Sequence, residues 1–265
     1  MLKQRILTAL VLLPLMLGML FYAPAALWAA FAALIALLAL WEYGRMCRLS
    51  EKQSNRYLAA SAFFMLTAYL GGWQLPPLIW LLVLSGWLLG APLWLRRKWP
   101  LPQQGNAMLL GWGLLLPFWF ALLQLRPSSD DAAKLLALMA LVWLADVAAY
   151  FVGRACGKRK LAPAISPGKS WEGALGGAAA VLAYACWLRG NGWLFENLSW
   201  PATVLAALVL TAVSIEGDLL ESWFKRSAGI KDSSGLLPGH GGVYDRTDSL
   251  ISVLAVYAAV QNLFG

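Results

Sequence analysis

The chain has 265 residues, of which 60% are hydrophobic and only 13% are charged, and its mean hydropathy is +0.65. Soluble domains carry about 25% charged residues, so this composition excludes an ordinary soluble protein. The net charge of +8 could indicate nucleic-acid binding, but the distribution of the basic residues along the chain explains it differently.

The cysteines and the single histidine exclude several kinds of site. Cys47, Cys156 and Cys186 are isolated and show no paired spacing, so neither a disulfide framework nor a zinc site is expected. His240 is the only histidine, which argues against haem, zinc and most histidine-based catalysis. Binding of a hard cation by carboxylates remains open.

Apolar runs recur along the whole chain and predict an all-α, polytopic membrane protein with about nine transmembrane helices. The first run comes after M-L-K-Q-R and resembles a signal peptide. No small-residue cleavage site with a polar continuation follows it, so we expect a retained helix. The predicted spans are 5–22, 24–44, 57–73, 76–95, 107–125, 132–152, 172–189, 200–220 and 247–264.

The basic residues test this span count. If successive loops alternate between the two sides, 18 of the 21 Lys and Arg residues, including Lys3 and Arg5, lie on one side and 3 on the other. Positive charge collects on the cytoplasmic side of membrane proteins, so the N-terminus is predicted to be cytoplasmic. This asymmetry explains the net charge without nucleic acid.

We divide the chain into an N-terminal membrane region, 1–130, and a C-terminal membrane region, 131–265, which carries both long polar loops and is expected to hold the functional site. The two longest polar loops, 153–171 and 221–246, both fall on the cytoplasmic side. They can therefore build one site.

Asp146 lies near the cytoplasmic end of the sixth span, where helical spacing gives it one face with Tyr150 and Arg154. A carboxylate at that depth costs about 2.5–3.5 kcal/mol unless it is paired or faces water. Two interpretations stay open: an ion pair with Arg154, or a carboxylate that faces an ion or a substrate.

The first polar loop is basic, rich in Gly and Pro, and followed by Glu172. Its cations would suit a polyphosphate, and the alternative is ordinary cytoplasmic charge that sets topology. That alternative is strongest for residues 158–160 and weakest for Lys169, which lies between the turn S-P-G and a helix start.

The end of the eighth span places hydroxyls, carboxylates and a cation on one helical face: Ser214, Asp218, Glu221, Ser222 and Lys225. Asp245 and Asp248 stand three residues apart where the ninth span begins, so both can face one point, although acids there can also simply cap the helix. The glycine-rich stretch 237–242 between them lets the backbone approach a ligand closely. Together with Asp146, these aspartates form a predicted Mg²⁺ site beside groups that bind phosphates.

The spacing of S-W-F-K-R, K-D and L-P-G-H-G-G-V-Y-D-R-T-D within 222–248 resembles the signature of the phosphatidate cytidylyltransferase (CDP-diacylglycerol synthase) family, and block 146–173 resembles the same family. The resemblance implies a bacterial-type inner-membrane enzyme that condenses CTP with phosphatidate. Its products would be CDP-diacylglycerol and pyrophosphate. The resemblance also implies Mg²⁺, a second, monovalent ion such as K⁺, and a homodimer.

The resemblance assigns three groups of site residues. The catalytic residues would be Asp218, Asp245, Asp248, Lys225, Arg226 and His240. The substrate- and phosphate-binding residues would be Lys169, Ser166, Glu172, Ser222, Lys231, Arg246, Gly241, Gly242 and Arg154. The metal ligands would be Asp218, Asp245, Asp248 and Asp146.

Two other functions stay open. A CTP-dependent membrane lipid or polyprenol kinase would release CDP instead of pyrophosphate, and the complete 222–248 signature argues against it. A cation-coupled transporter would place polar groups near the middle of the bilayer in several spans, whereas here they gather at one membrane face.

Overall fold

The computed structural model describes residues 2–265, apart from the side chains of residues 2, 3, 5 and 104. Lys3 and Arg5 contribute to the predicted charge asymmetry, and their side chains lie outside the described part of the structure. Within this range the chain is mostly helical, as predicted. Its helices are α1 (Leu2–Tyr22), α2 (Ala25–Met46), α3 (Glu51–Leu70), α4 (Pro77–Ser85), α5 (Ala91–Arg97), α6 (Gln104–Gln124), α7 (Ala132–Cys156), α8 (Trp171–Gly190), α9 (Trp200–Ala228) and α10 (Tyr244–Phe264).

The ten described helices overlap the nine predicted span positions. Two of them, α4 and α5, are joined by a π-helical turn at Gly86–Gly90 and together occupy one predicted position. Six helical segments are long and apolar enough to cross a membrane: Ala25–Met46, Pro77–Arg97, Gly105–Gln124, Ser129–Cys156, Trp200–Ala228 and Tyr244–Phe264. The apolar part of α1, Ile6–Tyr22, is shorter. A multi-pass membrane architecture is the consequence of these lengths and compositions.

Local sequence sets several helix ends. Ser50 caps α3 through a capping box with Gln53, and Ser170 and Ser199 accept backbone hydrogen bonds at the starts of α8 and α9. Gly229 ends α9 with φ 76°, a left-handed conformation that glycine adopts without steric cost. These caps fix where the membrane helices give way to the polar segments.

The segment predicted as loop 153–171 is only partly irregular, and the all-α prediction was wrong at this point. Helix α7 continues to Cys156, and the chain then forms a short antiparallel hairpin of β1 (Lys160–Ala162) and β2 (Ser166–Ser170). Gly and Pro signalled that the helix stops there, but they also suit a two-stranded edge hairpin, which the sequence pattern did not distinguish from a loop.

The second polar segment is also shorter than predicted. Helix α9 extends to Ala228 and α10 begins at Tyr244, so the irregular part covers 229–243 instead of 221–246. Lys225 and Arg226 therefore lie on the last turns of α9. Leu237 and Gly241 pair through an isolated β-bridge within the glycine-rich stretch.

Close helix packing brings the polar ends together. Helices α7 and α8 approach through small residues, because a Cβ at Gly173 would lie 2.7 Å from the carbonyl oxygen of Ala149 and one at Gly177 2.9 Å from that of Ala145. Helix α10 packs against α4, α6 and α9, and most of its residues 249–259 are buried. It therefore contacts helices from both regions of the predicted division at residue 130.

Candidate active site

The ends of α7 and α9 and the hairpin before α8 surround a cavity of about 420 Å³. Its polar lining comes from α7, from the hairpin and from α9: Asp146, Tyr150, Arg154, Ser166, Lys169, Ser170, Thr211 and Asp218. The site therefore combines residues that are more than 70 positions apart in the chain.

An ion pair joins the hairpin directly to α9. Lys169 Nζ lies 2.5 Å from Asp218 Oδ2, and each side chain is about one quarter exposed. Asp218 Oδ1 also accepts a hydrogen bond of 3.3 Å from the Ser222 hydroxyl. The hairpin and the last turns of α9 thus form one constellation.

Two further carboxylates belong to this constellation. Asp146 and Asp248 both interact electrostatically with Asp218 and with the Lys169 ammonium. Arg246 also acts on Asp146. Carboxylates and cations are therefore close together at this end of the cavity.

The structure does not contain the Asp146–Arg154 ion pair that the sequence left open. Arg154 Nη1 instead lies 3.3 Å from the Tyr150 hydroxyl. No described basic group lies within ion-pair distance of Asp146. Asp146 and Arg154 lie on one face of α7 as predicted, but the Asp146 carboxylate lines the cavity.

Asp245 has a different environment from the other three aspartates. Its Oδ1 lies 2.6 Å from Lys225 Nζ, while Oδ2 accepts hydrogen bonds from the backbone N–H groups of Ser233 at 2.9 Å and Gly242 at 2.7 Å. Lys225 also lies 2.7 Å from Glu221 Oε2. Asp245 thus holds the 229–243 segment against α9, and its predicted role as a metal ligand stays a prediction.

Glu172, in the first turn of α8, holds the chain just before the hairpin. Its Oε2 accepts hydrogen bonds from the backbone N–H groups of Lys158 at 3.0 Å and Arg159 at 3.1 Å. Its Oε1 pairs with the Arg159 guanidinium at 3.1 Å. These donors compensate its negative charge, so Glu172, as a carboxylate, anchors the two residues that lead into the first strand of the hairpin.

The glycine-rich stretch carries the remaining predicted residues. Gly241 has φ 84°, and Arg246 Nε donates to the carbonyl oxygen of His240 at 2.9 Å. The Nδ1 atom of His240 has no protein partner among the described residues. Arg226 and Lys231 are exposed. These groups lie outside the cavity lining.

Glu42 is a site-supporting residue that the sequence reasoning missed. It lies near the end of α2, is fully buried, and accepts hydrogen bonds from both ends of the segment Ser233–Tyr244. One signal was available, since an acidic residue in the apolar run of the second span needs a polar partner. The sequence did not show which partner.

Across the described residues, no group of three or more His, Cys, Asp or Glu side chains is arranged to hold a metal ion without other ligands. Mg²⁺ typically uses one or two carboxylates plus substrate phosphates and water. The oxygen donors of Asp218, Asp248 and Asp146 match that preference. These acids suit a cation that a phosphate ligand helps to hold.

Comparison with known proteins shows which family the chain is similar to. A model described as the cytidylyltransferase family matches residues 3–264. A phosphatidate cytidylyltransferase of Pseudomonas aeruginosa is 44% identical over 263 residues, which cover 98% of this chain and 97% of that protein. One of Haemophilus influenzae is 36% identical, with 97% and 98% covered, and one of Brucella suis is 52% identical over 133 residues, with 48% and 45% covered.

Proposed function

The chain belongs to the cytidylyltransferase family, and on that premise we propose that it condenses CTP with phosphatidate to give CDP-diacylglycerol and pyrophosphate. It is a nucleotidyltransferase, and the family predicted from the motifs is confirmed. The observation that carries the substrate assignment is the Lys169–Asp218 contact, which joins the hairpin to the end of α9 around one cavity. A triphosphate and a lipid phosphate need that combination of cations and acids at one place.

The reaction would need little base catalysis. A phosphate oxygen of phosphatidate would attack the α-phosphorus of CTP, and the bond from that phosphorus to the bridging oxygen of pyrophosphate would break. A phosphate monoester is largely dianionic at pH 7, since its second pKa is about 6, so no side chain has to remove a proton. A chain with one histidine can therefore support this chemistry.

The side chains would bind and orient the phosphates. Lys169 and Arg154 line the cavity, and Arg246 lies close enough to act on Asp146. Cations in these positions would neutralise charge that develops on the transferred phosphate and on the leaving pyrophosphate. The apolar flank of the cavity, which includes Ala145, Ala149 and Ile215, would exclude water from the reacting groups.

We further propose that Mg²⁺ binds at Asp218 and Asp248, with Asp146 beside them. Asp146, Asp218 and Asp248 supply several carboxylate oxygens beside Lys169 and Arg246, and hard cations prefer oxygen ligands, which supports the fit. When bound, Mg²⁺ would supply charge neutralisation on the phosphates of the nucleotide. Asp245 stays a candidate, although its oxygens already accept protein hydrogen bonds. The monovalent ion and the homodimer implied by the family resemblance remain part of this proposal.

We propose nine membrane crossings in a bacterial inner membrane, with the N-terminus and the site on the cytoplasmic side. Contacts between helix ends support this alternation. The Thr8 hydroxyl donates to the carbonyl oxygen of Pro238, and the Trp223 indole donates to that of Trp99, all at predicted cytoplasmic ends. At the predicted outer ends, Asn262 donates to Gln124.

Exposed tryptophans also support two membrane boundaries. Trp73, Trp193 and Trp200 are exposed near the predicted outer ends, and Trp99 and Trp171 near the predicted cytoplasmic ends. Tryptophan favours the headgroup level of a bilayer, so these positions fit a slab between the two sets.

A product analysis tests the reaction. Purified protein in phosphatidate-containing nanodiscs with CTP and Mg²⁺ should release pyrophosphate and CDP-diacylglycerol in equal amounts. Release of CDP with a phosphorylated lipid would instead identify a kinase. Absence of any CTP turnover in protein that remains folded would overturn the proposed function.

A further inference from the structure

Glu42 is a buried acid that makes its contacts outside the cavity of the candidate active site. Its Oε1 lies 2.5 Å from the Ser234 hydroxyl and 3.0 Å from the backbone nitrogen of Val243. Its Oε2 lies 3.0 Å from the Ser233 hydroxyl and 2.6 Å from the backbone nitrogen of Tyr244. No described Lys, Arg or His lies within ion-pair distance of it. Both of its oxygens are therefore held by neutral donors alone.

The donors come from the two ends of one segment. Ser233 and Ser234 begin it, while Val243 and Tyr244 form the start of α10. An anion at a helix N-terminus is favoured by the helix dipole and by the unpaired N–H groups of the first turn. Glu42, which comes from a helix in the other half of the chain, thus closes the segment and caps α10.

This contact shares its neighbours with Asp245. The Ser233 hydroxyl lies 3.0 Å from Glu42 and 2.9 Å from Asp245 Oδ2, so its single proton serves one carboxylate at a time. Gly242 packs directly on both groups, since a Cβ there would collide with the Ser233 hydroxyl and with the Glu42 carboxylate. The position of the first turn of α10 therefore depends on Glu42.

We infer that Glu42 is a positioning residue for the transfer reaction. It holds the segment 233–244 and the start of α10, and the α10 residues Asp245, Arg246 and Asp248 take their places from that anchor. Glu42 does not line the cavity, so it acts through these residues and has no contact with substrate. The expected effect on kcat rests on the proposed function, but the contact between Glu42 and the segment 233–244 does not.

Glu42→Gln tests the inference because the side chain keeps its size and loses an acceptor. Whichever way the amide is oriented, its NH₂ group faces the N–H of Val243 or Tyr244, and one donor stays buried and unpaired. We expect kcat about 100-fold lower, since small misplacements of catalytic groups cost that much, while KM for CTP stays within about threefold. The matched control is Glu51→Gln, because Glu51 is exposed at the start of α3.

Amide hydrogen exchange provides a readout that needs no substrate. In Glu42→Gln, exchange at Val243 and Tyr244 should rise at least about tenfold while the core of α10 stays protected. Unchanged exchange at these two amides would overturn the inference, even if the wild type released no pyrophosphate. An active wild type with unchanged kcat in a folded Glu42→Gln variant would overturn it as well.

A milder variant keeps the inference testable if Glu42→Gln does not fold. Ser234→Ala removes the hydroxyl that donates to Glu42 and accepts from the N–H of Leu236 at 3.1 Å. Loss of these bonds should lower kcat about three- to tenfold with an unchanged KM for CTP. Wild-type kcat in folded Ser234→Ala would refute the positioning role.

Discussion

Lys169→Ala should separate the effect on the reaction from the effect on stability. Lys169 Nζ lies 2.5 Å from Asp218 Oδ2, and the two side chains are 25% and 28% exposed. Coulomb attraction at that distance is about 7 kcal/mol at an effective dielectric constant of about 20, but desolvation and side-chain entropy offset most of it. The net contribution of such a partly exposed pair to folding is about 1 kcal/mol or less.

The expected effect on the reaction is much larger. A cation that touches the transferred phosphate stabilises the additional charge that develops in the transition state, and removal of one such donor costs about 10²–10³ in kcat, or about 2.7–4 kcal/mol. Lys169→Ala should therefore lose at least about 100-fold in kcat while its thermal midpoint falls by only a few degrees. Pyrophosphate release and thermal unfolding in the same detergent measure the two quantities.

Lys160→Ala is the matched control for this experiment. Lys160 lies on β1 of the same hairpin, is exposed, and makes no ion pair within the described part of the chain. Its substitution removes the same charge, so a general loss of attraction for CTP would appear in both variants. If kcat of Lys169→Ala stayed within threefold of Lys160→Ala, the argument for a phosphate-binding role of Lys169 would be refuted.

Three further predictions concern the glycine-rich segment, the topology and the metal. Gly242→Ala should abolish turnover because the new Cβ would collide with Glu42 and Ser233. Gly235→Ala should keep wild-type kcat because the space around Gly235 is open. Equal kcat values in the two variants would contradict the packing argument. In sealed inside-out vesicles, maleimide should label the exposed Cys156 but not the buried Cys47. Burial raises the pKa of the Cys47 thiol to about 11, which leaves about one thiolate per thousand at pH 8. Labelling of Cys156 only from the outer side would exclude the proposed orientation. Chelation with EDTA should stop pyrophosphate release and added Mg²⁺ should restore it, and a rate that EDTA leaves unchanged would count against the metal proposal.

Hydrophobic runs and helical spacing predicted the positions of the helices and the face of α9. They succeeded because a bilayer-spanning helix needs an apolar run of fixed length, which the sequence displays directly. The proximity of Lys169 to Asp218 was expected because the loop 153–171 and the end of the eighth span were placed on the same side of the membrane. The prediction used charge alone, and the structure brings these two residues into contact.

Other features depend on partners that are distant in the chain. Glu42 and Ser234 are 192 positions apart, and no local pattern links them. The hairpin at 160–170 was missed because Gly and Pro mark the end of a helix without distinguishing a strand from a loop after it. The extension of α9 to Ala228 was missed because polar residues on its last turns suggested a loop, although the three- and four-residue spacing already fitted a helix.

The number of hydrogen bonds that each carboxylate accepts distinguishes acids that look alike in the sequence. Glu42 and Asp245 each receive several protein donors, so their charge is compensated by the fold itself. Asp248 accepts only the N–H of Ser249, at 2.7 Å, and Asp146 has no donor in the described part of the chain. A carboxylate near a bilayer that lacks protein donors needs water, a cation or a ligand. Asp146 and Asp248, which have few protein donors, are grouped with Asp218 and Lys169, so substrate and metal are expected there, and Glu42 and Asp245 keep the supporting segment in place.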